Sequence, residues 1–322
     1  MERREKLPHA LLIHGRAGLG KTHLARNFAQ RLLCETATGA APACGACPAC
    51  AWFEQGNHPD FRLLQPDALS AEPSGEGGDA GEGGSASKQI RIDQVRDLQA
   101  FLRVGAHRGG LRVAVIRPAE AMNAATANAL LKSLEEPSAG TLILLVSSDP
   151  QRLLSTVRSR CQAIPILGAD RELASAWLKE QGIADADSAL SFAAGAPLAA
   201  LEHTVLDERR RALVALLATP GFDPVDGAEQ FSGIALPEIV AWLQKWVYDL
   251  ARVRSGTAPR YHPGESARLT GLARQADPIR LSRLALRMAD ARRLASHPLN
   301  PKLFLEDLLM QYRTMSGGRD GR

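Results

Sequence analysis

Apolar residues in the first half of the chain fall into short runs and helical stripes. Ala10-Leu11-Leu12-Ile13 is continuous, and behind it Leu24, Ala25, Phe28, Leu32 and Leu33 recur at helical spacing. A buried strand followed by a helix is the pair this pattern predicts. Periodic structure resumes at Ile90, and Leu111-Arg112-Val113-Ala114-Val115-Ile116 predicts a further strand. NAATANALLKSLEEP then sets Ala127, Leu130, Leu131 and Leu134 on one helical face and stops at Pro137. TLILLVSSDP reads as a long apolar strand closing on Ser147, Ser148 and Asp149. After it, QRLLSTVRSRCQAIPI supplies a short helix, a basic turn and another strand. Strands alternating with helices predict an α/β domain, a parallel sheet flanked by helices.

From about residue 168 the pattern is helical throughout. DRELASAWLKEQG and the Ala-rich stretch after it predict a small helical lid over residues 168–205. Ile239, Trp242, Leu243, Trp246, Val247 and Leu250 form a wide apolar stripe, and PIRLSRLALRMADARRLASH continues the all-helical pattern. Packing in their own core is the simpler role for the tryptophans; part of the stripe facing a partner helix is the other. Between Leu69 and Lys88 the sequence LSAEPSGEGGDAGEGGSASK has almost nothing to bury. Such a segment does not offset its ordering entropy, which predicts a mobile insert over 69–88.

Candidate chemistry enters with GRAGLGKT, residues 15–22, between the first strand and its helix. Gly15, Gly18 and Gly20 let backbone N–H groups turn inward around phosphate oxygens, and the helix N-terminus adds positive potential. Lys21 brings a charge to the outer phosphates and Thr22 a hydroxyl for Mg²⁺. A chance glycine-rich turn is the alternative. The second signal is cysteine use. Four of the five cysteines, Cys34, Cys44, Cys47 and Cys50, fall in a C-x9-C-x2-C-x2-C pattern that can wrap one tetrahedral zinc. Four protein thiolates leave no open position, so the expected role is structural. His58 reads as a loop residue and not a further ligand, and Cys161 as a small buried apolar residue.

The 322 residues, 45% hydrophobic and 23% charged, suffice for about two or three domains. A net charge of +4 without a long Lys/Arg run permits nucleic-acid contact without demanding it. No run of eighteen apolar residues and no signal-type start are present, which predicts a cytoplasmic protein with no membrane partner.

Taken together, GRAGLGKT, the cysteine cluster, His58-Pro59-Asp60, ANALLKSLEEP, SSDPQRLLSTVRSRC and LNPKLFLEDLL resemble the delta-prime subunits of bacterial DNA polymerase III clamp loaders, relatives of the AAA+ family. The likeness is dense from about Pro8 to Leu167 and sparse afterwards, with Leu299–Arg313 a distinctive patch. It implies an AAA+ P-loop parallel-sheet domain over 1–167 with an inserted zinc-binding module at 34–50, then the lid at 168–205, then an all-helical C-terminal collar over 206–322 for oligomerisation. It also implies a stator role, at the replisome on the nucleoid. The chain would sit in a ring with delta and gamma/tau subunits that places the sliding clamp on primer-template DNA. Gamma and tau hydrolyse ATP; the arginine of the S-R-C triplet, Arg160 here, reaches in trans into a neighbour's ATP site. A guanidinium is always charged and its planar fork matches phosphate oxygens. Arg158 and Arg160 as merely solvated turn residues is the plain alternative.

Departures from the motor subunits set the expected division of labour. Arg117-Pro118 stands where motors carry Asp-Glu, and Leu198 where they carry the arginine that senses nucleotide from the lid. Nine residues precede Ala10, little chain for the segment that helps frame the adenine pocket in relatives, which leaves open a mis-assigned start codon. The expectation is a loop that can still take up ATP/Mg²⁺ without hydrolysing it, in a subunit of DNA polymerase III holoenzyme with no ATPase of its own. A self-sufficient motor-type ATPase needs a replacement acid, for which Glu120 and Asp149 are the local candidates. A nucleotide kinase is weaker still, since nothing beyond the loop suggests an acceptor site.

Overall fold

Side chains alternating across a parallel sheet organise the N-terminal half. In a computed structural model that describes residues 7–69, 87–106 and 110–315, the elements run β1 (Ala10–Gly15), α1 (Lys21–Leu33), α2 (Pro48–Glu54), β2 (Phe61–Leu64), α3 (Ile92–Arg103), β3 (Arg112–Ile116), α4 (Ala124–Glu135), β4 (Thr141–Ser147), α5 (Ser155–Arg158) and β5 (Gln162–Ile166). The strands lie in the order β2-β3-β4-β1-β5, all parallel, with Leu12 of β1 opposite Leu145 of β4 and Ala163 of β5. β1 and β4 are therefore interior strands, which explains their unbroken apolar runs.

Strands β1 to β4 divide their residues between two cores. Ala10, Leu12, Ala114, Ile116, Ile143 and Leu145 pack with Val95, Leu98, Leu130 and Leu134 of α3 and α4. Leu11, Ile13, Val113, Val115, Leu144 and Val146 pack with Ala25 and Ala29 of α1 and with Phe53. The helix expected behind β1 forms, but Leu24 in its first turn is 47% exposed and adds nothing to this core. Asn123 caps α4 by accepting from the N–H of Thr126 at 2.9 Å.

The His58-Pro59-Asp60 turn is held from inside. Asp60 and Arg112 are both buried with 3.6 Å between Oδ1 and Nε, while Arg112 also donates to the carbonyl oxygens of Phe101 and Gly105. His58 accepts the Asp60 N–H on Nδ1 at 3.1 Å. It is a buried loop residue, as expected of its loop position. Cys161 is half-buried against the α3/α4 core, and burial pushes its thiol up to about 11. The expected mobile insert falls mostly on 70–86, outside the described residues; its ends meet where the Ala68 N–H donates to the Ser87 oxygen at 3.1 Å.

The chain divides into two units, Met1–Gly168 and Ala169–Arg322. The second is all-helical among its described residues: α6 (Arg171–Glu180), α7 (Ala186–Phe192), α8 (Pro197–His203), α9 (Asp207–Ala218), α10 (Pro224–Gln230), α11 (Leu236–Arg254), α12 (Ser266–Gln275), α13 (Pro278–Leu294) and α14 (Pro301–Met315). Helices α6 to α8 share a small core of Ala174, Leu178, Leu190 and Ala200. The larger core is built on α11, whose stripe of Ile239, Trp242, Leu243, Trp246, Val247 and Leu250 lies wholly inside it. Trp246 Nε1 donates to Tyr312 Oη, and that hydroxyl donates to the Leu217 oxygen, each at 2.9 Å. The stripe therefore offers no surface to a partner helix; the simpler of the two expectations holds because α9, α12, α13 and α14 already cover it. Exposed apolar side chains of this unit include Leu173 on α6, Val205, and Ile279, Leu286, Leu303 and Met310 on α13 and α14. Asp249, fully buried on α11, accepts from the backbone N–H groups of Arg260, Tyr261 and His262 and faces His262 Nδ1 at 2.9 Å. Among the described residues no single helix is long and apolar enough to cross a membrane.

Candidate phosphate loop, thiolate cluster and arginine turn

The glycine-rich loop joins the end of β1 to the start of α1. At Gly15 a Cβ would lie 2.3 Å from the carbonyl oxygen of Ile166 on β5, so only glycine lets β1 run beside that strand. Gly20 caps α1 with φ 81°, a left-handed conformation that costs a residue with a Cβ but not glycine. Gly18, at φ 76°, turns the chain in between. Lys21 opens the helix and is buried, its ammonium donating to the Arg16 oxygen at 2.5 Å and to Ser148 Oγ at 3.0 Å. Burial lowers its pKa, and the negative charge of Glu120 opposes the shift. Thr22 follows in the first turn, half-buried. Gly15, Gly18, Gly20, Lys21 and Thr22 thus form one turn at the C-terminal ends of neighbouring strands, where ligands of open α/β sheets bind.

The acids of this site are placed unequally. At the end of β3, Arg117 turns its Nε toward Gln65 Oε1 at 2.8 Å, and Pro118 follows. Neither binds a cation or accepts a proton from water at neutral pH. Glu120 instead reaches the end of β4. Its Oε1 accepts from the backbone N–H groups of Ser148 at 2.9 Å and Asp149 at 3.2 Å; its Oε2 is buried without a hydrogen bond. Ser148 is thus shared between Lys21 and Glu120, a link no local pattern in the sequence announces. Asp149, the other candidate acid, is exposed.

The four clustered cysteines converge. Cys34 ends α1 and Cys47 caps α2, with Cys44 and Cys50 between and beyond them. Their sulfurs all lie within 4.8 Å of one another, with 3.9 Å between Cys34 and Cys47 and 4.0 Å between Cys44 and Cys50. Four sulfurs at about 2.3 Å from one zinc stand about 3.8 Å apart, so the set can hold a zinc ion with little adjustment. Backbone N–H groups already point at the sulfurs: Cys44 N at Cys34, Cys47 N at Cys44 and Cys50 N at Cys47, at 3.3–3.5 Å. Burial resists ionisation at Cys34, but N–H···S bonds from Cys44, Thr36 and Ala37 and the Thr36 hydroxyl outweigh it and bring the thiol down to about 5. His58 lies outside the cluster.

Arg160 sits in the turn between α5 and β5. Its Nη1 donates to the Thr156 oxygen at 2.9 Å and approaches Ser159 Oγ at 3.4 Å, and its Nη2 meets Glu135 Oε1 at 2.6 Å. Its partners all belong to α4, α5 and its own turn, none to the phosphate loop. Arg158 points elsewhere, to Gln151 Oε1 at 2.8 Å. Leu198 stands in the first turn of α8.

A family profile described as DNA polymerase III, delta subunit, matches residues 1–169. Over 96% of this chain and 93% of the other, the sequence is 35% identical to DNA polymerase III subunit delta' of Pseudomonas aeruginosa. It is 29% identical to the delta' subunit of Escherichia coli, over 94% of this chain and 88% of that one. To the tau subunit of Escherichia coli it is 34% identical over 52% of this chain, which is 23% of that protein.

Proposed function

The chain belongs to the family of DNA polymerase III delta-prime subunits, and from that premise we propose that it is the non-hydrolysing stator of a clamp loader, lending Arg160 to the ATP site of a neighbouring gamma/tau-type subunit. The complex would use that hydrolysis to place the sliding clamp on primed DNA. The observation that carries the reading is the end of β3. Where a hydrolysing relative needs acids to hold the metal and activate water, this chain has Arg117, committed to Gln65, and a proline. Its phosphate loop is complete, so it holds nucleotide or phosphate without turnover. The thiolate cluster serves as a structural zinc site that joins α1 to α2. Partner subunits, delta and gamma/tau, dock on the helical C-terminal region, with the exposed Ile279, Leu286 and Leu303 as their contacts.

A second reading has one observation in its favour: the Glu120 carboxylate lies at the end of β4 close enough to Lys21 for its charge to oppose the lowering of the lysine's pKa by burial. A motor-type ATPase would use such an acid. Against it, the Glu120 Oε1 is already engaged by two backbone N–H groups and its Oε2 is buried, whereas a hydrolytic acid faces the attacking water.

The purified chain alone should show no sustained ATP turnover. In a complex reconstituted with delta and gamma/tau partners, Arg160→Ala should cut DNA- and clamp-stimulated hydrolysis while leaving assembly intact. An arginine supplied in trans contributes about 10³–10⁵ to the rate at the site it serves. Brisk turnover by the lone chain favours the motor reading, and unchanged hydrolysis by the variant complex removes Arg160 from the mechanism.

A further inference from the structure

An arginine that acts on a neighbour's phosphates has to be aimed before the neighbour arrives. Its long side chain has many rotamers, and in an exposed turn that freedom is lost at the moment of reaction unless the fold has already removed it. In this chain the turn does not fix Arg160 alone. The Thr156 oxygen and Ser159 hydroxyl hold one terminal nitrogen, Nη1, from within the turn. The other, Nη2, is held at 2.6 Å by Glu135, the last residue of α4, which lies twenty-five positions earlier in the sequence.

We propose that Glu135 is a positioning residue for Arg160, fixing the guanidinium through Nη2 so that it is presented in one orientation to the adjoining ATP site. The inference rests on the trans role assigned to Arg160 above. Helix α4 is a firm base for the contact. Asn123 caps its start, Ala127, Leu130 and Leu134 are buried against the sheet, and the Leu134 oxygen accepts from His9 Nε2 at 2.9 Å. Glu135 is therefore the carboxylate on the last turn of an anchored helix. A charge-assisted N–H···O bond gives direction as well as attraction. With the side chains 36% and 46% exposed, the pair remains open to an incoming phosphate, which can share the guanidinium without displacing the acid.

The test uses the reconstituted complex with delta and gamma/tau partners, carrying the wild-type chain, Glu135→Gln, Arg160→Ala or both changes. Glu135→Gln keeps shape and removes charge at a half-exposed position, and its thermal unfolding should match wild type. It should lower the Arg160-dependent share of stimulated kcat about two- to fivefold, the scale of losing a half-exposed ion pair, with the KM for ATP unchanged. In the Arg160→Ala background it should have no further effect, because a positioning residue has nothing left to position. A loss with Arg160→Ala but none with Glu135→Gln overturns the inference and leaves the role of Arg160 standing. A further loss in the double variant also overturns it, since Glu135 then acts on the fold. If Arg160→Ala itself has no effect, the trans reading fails and takes the inference with it.

Discussion

Phe192 shows how far a single residue reaches. Lys245 Nζ lies 3.7 Å and Arg210 Cζ 4.1 Å from the centre of its ring, and His203 and His262 meet it edge-on. The cations gain from the ring but repel one another and His203. Burial first, then the charges of Lys245 and Arg210, lower the His203 pKa from 6.5 to about 4. Burial, with Arg210 and Arg292, lowers Lys245 to about 8. The sign for His203 follows. Above 6.5 the imidazole is neutral in both folded and unfolded chains; between 6.5 and 4 only the unfolded chain takes up the proton, so stability falls as pH falls through that window. Chemical denaturation of the wild-type chain from pH 7 to pH 4 should show this loss, and His203→Gln should flatten it; an identical slope in the variant would assign the acid sensitivity elsewhere. None of this was legible in the sequence, where Phe192, His203, Arg210 and Lys245 lie on four helices. The turn formed by Gly15, Gly18, Gly20 and Lys21 was legible, because it lies within eight consecutive residues.

Elements were legible where their signals are local. The apolar run of β1, the Asn123 cap and Pro137 stop of α4, and the alternation of strand and helix all have causes within a few residues of their effects. Leu24 shares the spacing of α1 yet is 47% exposed, because helical spacing says which residues share a face and not which turn overhangs the sheet. The thiolate module lies between these cases. Spacing announced four ligands, while the fold supplied the N–H groups that meet their sulfurs and the joint between α1 and α2, where Gln30 Nε2 also donates to Glu54 Oε1 at 2.7 Å. Elemental analysis of purified protein should find one zinc per chain, and Cys47→Ser should lose the metal together with amide protection through α2, whose cap Cys47 forms. A metal-free preparation with full protection there would contradict the assignment.

For the whole molecule, the question is which surface meets other subunits. The tryptophan stripe of α11 is consumed internally, and the exposed apolar side chains of the C-terminal unit include Ile279 at 62%, Leu286 at 71% and Leu303 at 61%. Leu286→Glu should leave the stability of the isolated chain within about 0.5 kcal/mol, as surface changes do, and should weaken assembly with delta and gamma/tau partners on size-exclusion chromatography. Assembly at wild-type yield and affinity would place the contact on another face. The sequence by itself determined the α/β character of the first unit, the helical character of the second, the glycine-rich loop before α1, the thiolate set and the Arg117-Pro118 pair at the end of β3. Each of these is written in short-range spacing, and the family likeness is dense over the first unit. Only the tertiary structure decided that the tryptophans face inward, that Glu120 shares Ser148 with Lys21, and that Glu135 holds Arg160. Those pairings join residues far apart in the chain, and burial and contact at such range depend on how helices stack, which no local period encodes.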